Sequence, residues 1–218
     1  MRGFLRRDLS LLRPGAWFYP VVMGVVFVGS RFFSWMGATD ITVYLLLAFG
    51  MESLYSLMTY DSMNGWLSYA AAVPGGRGRM VDVRYLLAIC AALALAGLLL
   101  MYFLLREEGL FLWAAGFYVS AFLFTLSVTL PVGFHWGYGG RTMGRLAVSV
   151  ITFVMLGVLA GVFYGVMESA REDLARGALR ADVGGFFTAL AWELPLLGLG
   201  ILALSWRISR QIMEKKEF

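Results

Sequence analysis

The sequence predicts an all-α membrane protein with six transmembrane helices, and two observations lead to this fold class. First, 60% of its 218 residues are hydrophobic and 15% are charged, with a mean hydropathy of +0.76, whereas soluble domains average about 25% charged residues. Second, six apolar stretches are long enough to cross a hydrocarbon core of about 30 Å as helices. Within a transmembrane domain at 15–206, these spans are 15–36, 41–59, 85–105, 110–131, 146–167 and 185–206.

The basic residues are distributed unevenly between the two sides of this bundle. Of the eighteen Lys and Arg residues, thirteen fall on the side that holds both termini and the loop at 60–84, and five fall on the other. Because basic loops stay in the cytoplasm, we expect both termini and that loop to be cytoplasmic in a multi-pass protein of the inner (plasma) membrane. A net charge of +4 could suggest a nucleic-acid partner. The uneven distribution of the basic residues instead favours membrane lipid, and nucleic acid is not an expected partner.

The two ends of the chain are expected to lie outside the spans. Segment 1–14 carries Arg on one side of a helix and apolar residues on the other, which is typical of an amphipathic helix lying in the membrane interface and ending at Pro14. The alternative is an ordinary basic flank of span one. Residues 207–218 are predicted to form a cytoplasmic tail.

The cytoplasmic loop 60–84 is predicted to contain a short helix. It carries Trp66, Tyr69 and a run of Ala, whereas disordered segments lack aromatic residues. Ser62 is a candidate N-cap, the helix should end before Pro74, and the following GGRGR indicates a flexible basic turn. Such a helix presents a contact surface for a cytoplasmic partner, or alternatively rests on lipid head groups.

A polar stripe runs along one face of span two. Its members, at helical spacing, are Glu52, Tyr55, Ser56 and Thr59. An ionisable group at such depth costs roughly 2.5–3.5 kcal/mol and seldom faces lipid. Glu52 therefore lines a path across the membrane or joins two helices by hydrogen bonds, and both roles remain open. Glu193, near the outer end of span six, is a second candidate for such a path, or else reaches interfacial water.

Three stretches carry a family resemblance. The first is RRDLSLLRPG near the start of the chain. The second, from span two into span three, comprises Asp61, Asn64, Gly65, Trp66, Tyr69, Val73, Pro74, Arg77, Arg84 and Tyr85. The third is LPVGFHWGYGGRTMGR, with Pro131, Phe134, Gly137, Arg141 and Arg145 as the matching residues. Together they resemble the permease subunits of type-2 ABC exporters, small six-span branch. His135 stands where that family more often has Lys, and Tyr138-Gly139-Gly140 departs from its acidic-basic pair.

The resemblance implies a half-transporter that pairs with a second copy, or with a similar half, and binds a separate ABC-type ATP-binding subunit. The loop between spans two and three would be its coupling helix, which contacts the ATPase through Asp61, Asn64, Gly65, Trp66, Tyr69, Pro74, Arg77 and Arg79. A second cytoplasmic loop would make a lesser contact through Pro131, His135, Gly137, Arg141 and Arg145. The chain has no G-x-x-x-x-G-K-[ST] motif for phosphate binding. ATP and Mg²⁺ are therefore expected only in the partner, with no cofactor bound directly.

Other functions fit the residues less well. The single histidine, His135, excludes a multi-histidine metal site, and the only acids of loop 60–84 are Asp61 and Asp82, so we do not expect an enzyme. An ATP-independent carrier would tend to show internal repeats, and it stays an alternative together with an immunity or scaffold membrane protein. For an exporter, aromatic-rich spans with few charges suit an amphipathic or hydrophobic cargo, such as a peptide, a drug-like molecule or a lipid.

Overall fold

The computed structural model describes a helical protein over residues 2–16, 51, 54–55, 57–61, 64–104, 111–136, 150–152, 154, 157–158, 161, 165 and 182–215. Its helices are α1 (Arg2–Ala16), α2 (Trp66–Ala72), α3 (Gly76–Leu104), α4 (Phe111–Trp136) and α5 (Asp182–Lys215). The described positions of segment 51–61 are also helical, and none of the described residues lies in a strand. The predicted all-α class is confirmed.

Two of these helices are long and apolar enough to cross a membrane. The stretches are Gly76–Met101 in α3 and Ala115–His135 in α4, by length and composition of the described residues. They correspond to predicted spans three and four. Predicted span one at 15–36 lies outside the described residues from position 17 onward, as do most of spans two and five.

Helices α3, α4 and α5 pack against one another and form most of the core. The contact between α4 and α5 is the most extensive, and it includes a close approach at Gly198. A Cβ atom at that position would lie 3.1 Å from the side chain of Leu123, so a residue without a side chain lets the two helices approach. Buried leucine and phenylalanine side chains of α4 fill the space between the helices, among them Phe122, Leu126 and Leu130.

A chain of hydroxyl groups ties these three helices together at a proline. Pro131 has no N–H to donate to the carbonyl oxygen of Ser127, four residues earlier in α4. The hydroxyl of Ser205, from α5, donates to that carbonyl at 2.7 Å. Because the Ser205 proton is used there, the Tyr85 hydroxyl of α3 donates to Ser205 Oγ at 2.6 Å and accepts from Ser209 Oγ at 2.7 Å. The Ser127 carbonyl that Pro131 leaves without its helical donor therefore still has a hydrogen-bond partner.

The N-terminal helix differs from its prediction in two ways. It continues to Ala16 instead of ending at Pro14, which costs a single hydrogen bond because the proline lies in the last turn. The side packed against the core includes the apolar residues Phe4 and Leu5, but it also buries Asp8 and leaves Leu9 exposed. The reason is that Asp8 has charged partners in α3, which are described below. Whether α1 lies in the membrane interface stays a prediction.

Three further helices extend beyond their predicted spans. Helix α3 begins at Gly76, so most of the predicted flexible turn GGRGR is its first turn. Helix α4 continues through Pro131 to Trp136. Helix α5 continues to Lys215, and its end packs on α3 with Met213 buried. The predicted tail is therefore helical up to Lys215, since contacts with α3 compensate for its polar composition.

Candidate functional site

The short helix α2 is held between two glycine turns. Its N-cap is Gly65, which has φ of +66° and no side-chain cap, so the helix begins at Trp66 and not at the predicted Ser62, which lies outside the described residues. After Pro74, Gly75 has φ of +67°, a conformation that favours glycine. At Gly76 a Cβ atom would lie only 2.2 Å from the carbonyl oxygen of Ala70. The end of α2 therefore sits directly against the start of α3.

Stacked aromatic rings join α2 to the N-terminal helix. Trp66 stacks on Tyr69 with ring centroids 4.8 Å apart, and Phe4 of α1 meets Trp66 edge-on at 5.6 Å. The guanidinium carbon of Arg7 lies 3.9 Å from the centre of the Trp66 ring, within the range of a cation–π interaction. Trp66 is thus partly buried against α1, while Tyr69 remains 55% exposed. Of the two aromatic residues among the predicted contacts, Tyr69 is the one that faces outward.

A cluster of four charged groups lies beneath α2. Arg7 donates to Asp61 at 2.6 Å and lies 3.5 Å from Asp8. Arg84 is hydrogen-bonded to Asp61 and lies 3.1 Å from Asp8. Asp8, Asp61 and Arg84 are buried, and the two positive and two negative charges balance. We name Arg7, Asp8, Asp61 and Arg84 the ionic cluster; it connects α1, segment 51–61 and α3.

Within the ionic cluster, the surroundings act on Asp8 in opposite directions. Burial raises the pKa of the Asp8 carboxyl above 3.8, the Arg84 charge lowers it, the Asp61 charge raises it and the Arg7 charge lowers it, with a net increase. Removing one partner from such a buried set is strongly destabilising, although an intact set adds little net stability over apolar packing. The cluster therefore fixes where the helices meet more than it adds to the free energy of unfolding.

The start of α3 also contacts the end of α5. The indole of Trp206 donates to Asp82 at 2.8 Å, and Arg77 donates to the backbone carbonyl of Glu214 at 3.2 Å. A Cβ atom at Gly78 would lie 3.1 Å from the Arg210 guanidinium. The contacts of Arg77 and Arg210 border an open groove of about 360 Å³, which we name the basic groove. It is lined by Ala72, Val73, Pro74, Gly75, Gly76, Arg77, Gly78, Arg210 and Glu214.

The remaining predicted residues of loop 60–84 are distributed between surface and core. Asn64 is exposed, and its side-chain amide donates to the Tyr60 carbonyl at 3.0 Å. Pro74 and Arg79 are exposed. Asp61, by contrast, is fully buried in the ionic cluster, so it cannot contact a partner directly, and it positions α2 from below.

Two residues of the polar stripe of span two are described, and of these Tyr55 makes the interhelical contacts. The Tyr55 hydroxyl donates to Thr129 Oγ1 of α4 at 2.8 Å and lies 3.1 Å from Thr152 Oγ1. Thr59 donates to the backbone carbonyl of Tyr55 at 3.0 Å. Glu52 and Ser56 lie outside the described residues, so the path role of Glu52 stays a prediction. Glu193 is exposed on α5.

The predicted second loop begins later than expected. Pro131 and His135 belong to α4, where Pro131 is half-buried and His135 is exposed. Gly137, Arg141 and Arg145 lie outside the described residues. Pro131 continues the helix because Ser205 supplies the hydrogen bond that the proline cannot make.

Sequence reasoning missed two features of this site. It did not pair Asp8 and Arg7 with Asp61 and Arg84, and it did not place Trp206 and Arg210 against α3. The available signal for the ionic cluster was the pair of opposite charges, Asp61 and Arg84, at the facing ends of predicted spans two and three. No sequence signal pointed to the second, because it depends on the mutual arrangement of α3 and α5.

The apolar helices α3 and α4, together with the family match described next, place the chain in the class of helical membrane proteins. Within that class, residues 3–214 match the model of a family described as ABC-2 family transporter protein. The chain belongs to this family and is a type-2 ABC permease subunit, a transport subunit of the membrane. Comparisons with curated proteins and with solved structures gave no match.

Proposed function

We propose that the chain is the permease half of an ATP-driven exporter for an amphipathic or hydrophobic cargo. It crosses the inner membrane six times with both termini in the cytoplasm. It works as a dimer with a second copy or a similar half, and it is driven by a separate ABC-type subunit that binds ATP and Mg²⁺. Helix α2 is the coupling helix on which that subunit docks.

The observation that carries the proposal is that one side of α2 packs against α1 and the start of α3, while Tyr69 on its other side is exposed. The ionic cluster fixes the chain just before it, Trp66 packs on Phe4 and Arg7, and Gly76 sits against Ala70. A helix held this firmly transmits a push to α1 and α3 without being deformed. Such rigid-body motion is a usual way in which a local event reorganises a packed bundle.

The outer side of α2 supplies a suitable contact. Tyr69 is a large aromatic residue that is 55% exposed and stacks on Trp66. Tyr and Trp are enriched among the residues that dominate binding energy, because they bury a large and rigid surface. Tyr69 therefore anchors the partner directly, while Trp66 fixes the orientation of Tyr69.

Co-purification in mild detergent, with the ATP-binding subunit identified by mass spectrometry and by ATP hydrolysis, tests the proposal. Tyr69→Ala should weaken binding of that subunit by about 2 kcal/mol, or about 30-fold, the loss typical of a central contact. Cargo-stimulated ATP hydrolysis should fall with it. Tyr60→Ala is the matched control, because Tyr60 is 48% exposed but precedes α2.

Two outcomes contradict the proposal. If the intact chain yields no ATP-binding subunit under conditions that preserve the dimer, the carrier or scaffold alternative takes its place. If Tyr69→Ala and Tyr60→Ala bind that subunit equally well, α2 is not the docking helix.

A further inference from the structure

The basic groove lies beside the proposed docking helix. One wall is the corner between α2 and α3, with Val73, Gly75 and Arg77, and the other is the end of α5, with Arg210 and Glu214. The Arg77 bond to the Glu214 carbonyl holds the two walls together. A partner that covers α2 therefore meets the end of α5 next to it.

Positive charge dominates this region among the described residues. Arg77 and Arg210 line the groove together with a single acid, Glu214, whose side chain is 63% exposed. Three more exposed cations lie within one helical turn of the lining residues along the chain: Arg79, Arg207 and Lys215. Charge complementarity predicts a negatively charged occupant.

The height of the groove above the membrane that follows from the predicted span bounds favours a protein over lipid. Helix α1, the predicted interfacial helix, meets α3 at Arg84, close to the predicted start of span three at Tyr85. Arg77 lies eight residues before Tyr85 and Lys215 nine residues after the predicted end of span six, which is about 12–14 Å at 1.5 Å per residue. The head-group layer adds only about 5–7 Å on each side of the hydrocarbon core.

From this geometry we infer that the basic groove binds an acidic surface segment of the ATP-binding subunit, with the end of α5 as a second docking element beside α2. The inference rests on the proposed function and adds to it the chemistry of the partner surface. It gives the end of α5 a role in recognising the partner, whereas the sequence indicated only a tail.

The test is a charge series measured as the Kd between the full-length chain and the ATP-binding subunit identified by co-purification. The chain is held in nanodiscs of phosphatidylcholine. Arg210→Glu should weaken binding about tenfold or more, and Arg210→Gln should weaken it less. Glu214→Gln should tighten binding two- to threefold, on the order of a rim charge. Added salt should weaken binding of the unaltered chain more than that of Arg210→Glu.

Each control separates this inference from a structural effect. Lys215→Glu reverses an exposed charge that makes no described contact with α3, so it weakens binding while the Tm falls only by the small effect of an acid in the last turn of α5. Arg210 also packs over Trp206, with 5.4 Å from its guanidinium carbon to the ring centre. The Tm of each Arg210 variant is therefore measured beside its Kd, and weaker binding is assigned to the charge where the Tm is unchanged. The tighter binding of Glu214→Gln is a gain that loss of structure cannot produce.

Three results overturn the inference. The first is a Kd unchanged within twofold across the series. The second is weaker binding by Glu214→Gln. The third is a series that leaves Kd unchanged but alters the Tm shift caused by phosphatidylglycerol in the nanodisc, which would assign the groove to anionic lipid. In all three cases Tyr69→Ala still reports on α2, so failure of this inference is distinct from failure of the proposed function.

Discussion

Substitution of Asp61 by Asn should show how far the ionic cluster stabilises the packing of α1, segment 51–61 and α3. Asp61 is fully buried and is the counter-ion of both Arg7 and Arg84, the latter 1% exposed. The amide keeps the shape but removes the charge, so the cluster changes from neutral to one uncompensated positive charge. Loss of one partner from a buried ion pair costs about 3–5 kcal/mol. For a chain of this length, the Tm should fall by about 6–20 °C.

The assay is thermal unfolding of the full-length chain in detergent, followed by tryptophan fluorescence. The double variant Asp61→Asn with Arg84→Met restores charge balance, and it should recover much of the lost Tm, since apolar replacement of a buried pair is often neutral. Glu214→Gln, at an exposed carboxylate, is the control and should leave the Tm nearly unchanged. An Asp61→Asn variant within about 2 °C of the unaltered chain, or a double variant no more stable than the single one, would refute the reasoning.

Two more predictions concern the same region. Gly76→Ala places a Cβ atom 2.2 Å from a backbone oxygen where ordinary contact begins at 3.4 Å, so α2 must move by about 1.2 Å. We expect a loss of about 1–3 kcal/mol in unfolding free energy and weaker ATPase binding. Gly97→Ala, with open space around it in the same helix, should be neutral or stabilising, and the reverse order of Tm values would contradict this. Because burial raises the pKa of Asp8 above 3.8, the folded chain binds that proton more tightly than the unfolded chain. The free energy of unfolding therefore falls as pH rises from 3.8 through the raised pKa of the folded chain. The Tm of the unaltered chain relative to Asp8→Asn should therefore rise as pH falls from about 7 to about 4, and a pH-independent difference would be evidence against it.

The boundaries of the helices illustrate where sequence patterns lead to error. Pro14 was expected to end a helix and Pro131 to belong to the second loop, yet both lie inside helices, because one missing hydrogen bond is tolerated at a helix end or replaced by a bond from Ser205. Gly76 and Gly78 were expected to form a flexible turn, yet they are helical, and the close approach of Ala70 and Arg210 explains why residues without a side chain stand there. In both cases tertiary contacts outweigh a local preference of about 1–3 kcal/mol.

The sequence by itself determined the helical class, the membrane character and the family, because apolar length, charge asymmetry and three ordered motifs are properties of the chain read in one dimension. It also located the short helix before Pro74. Only the tertiary structure decided which residues meet: that Asp61 is buried against Arg7 and Arg84, that Tyr69 faces outward while Trp66 packs inward, and that the end of α5 lies across the basic groove from the end of α2. The reason is physical, since these pairings join residues from 23 to 137 positions apart, and no periodicity within a single helix specifies the partner on another.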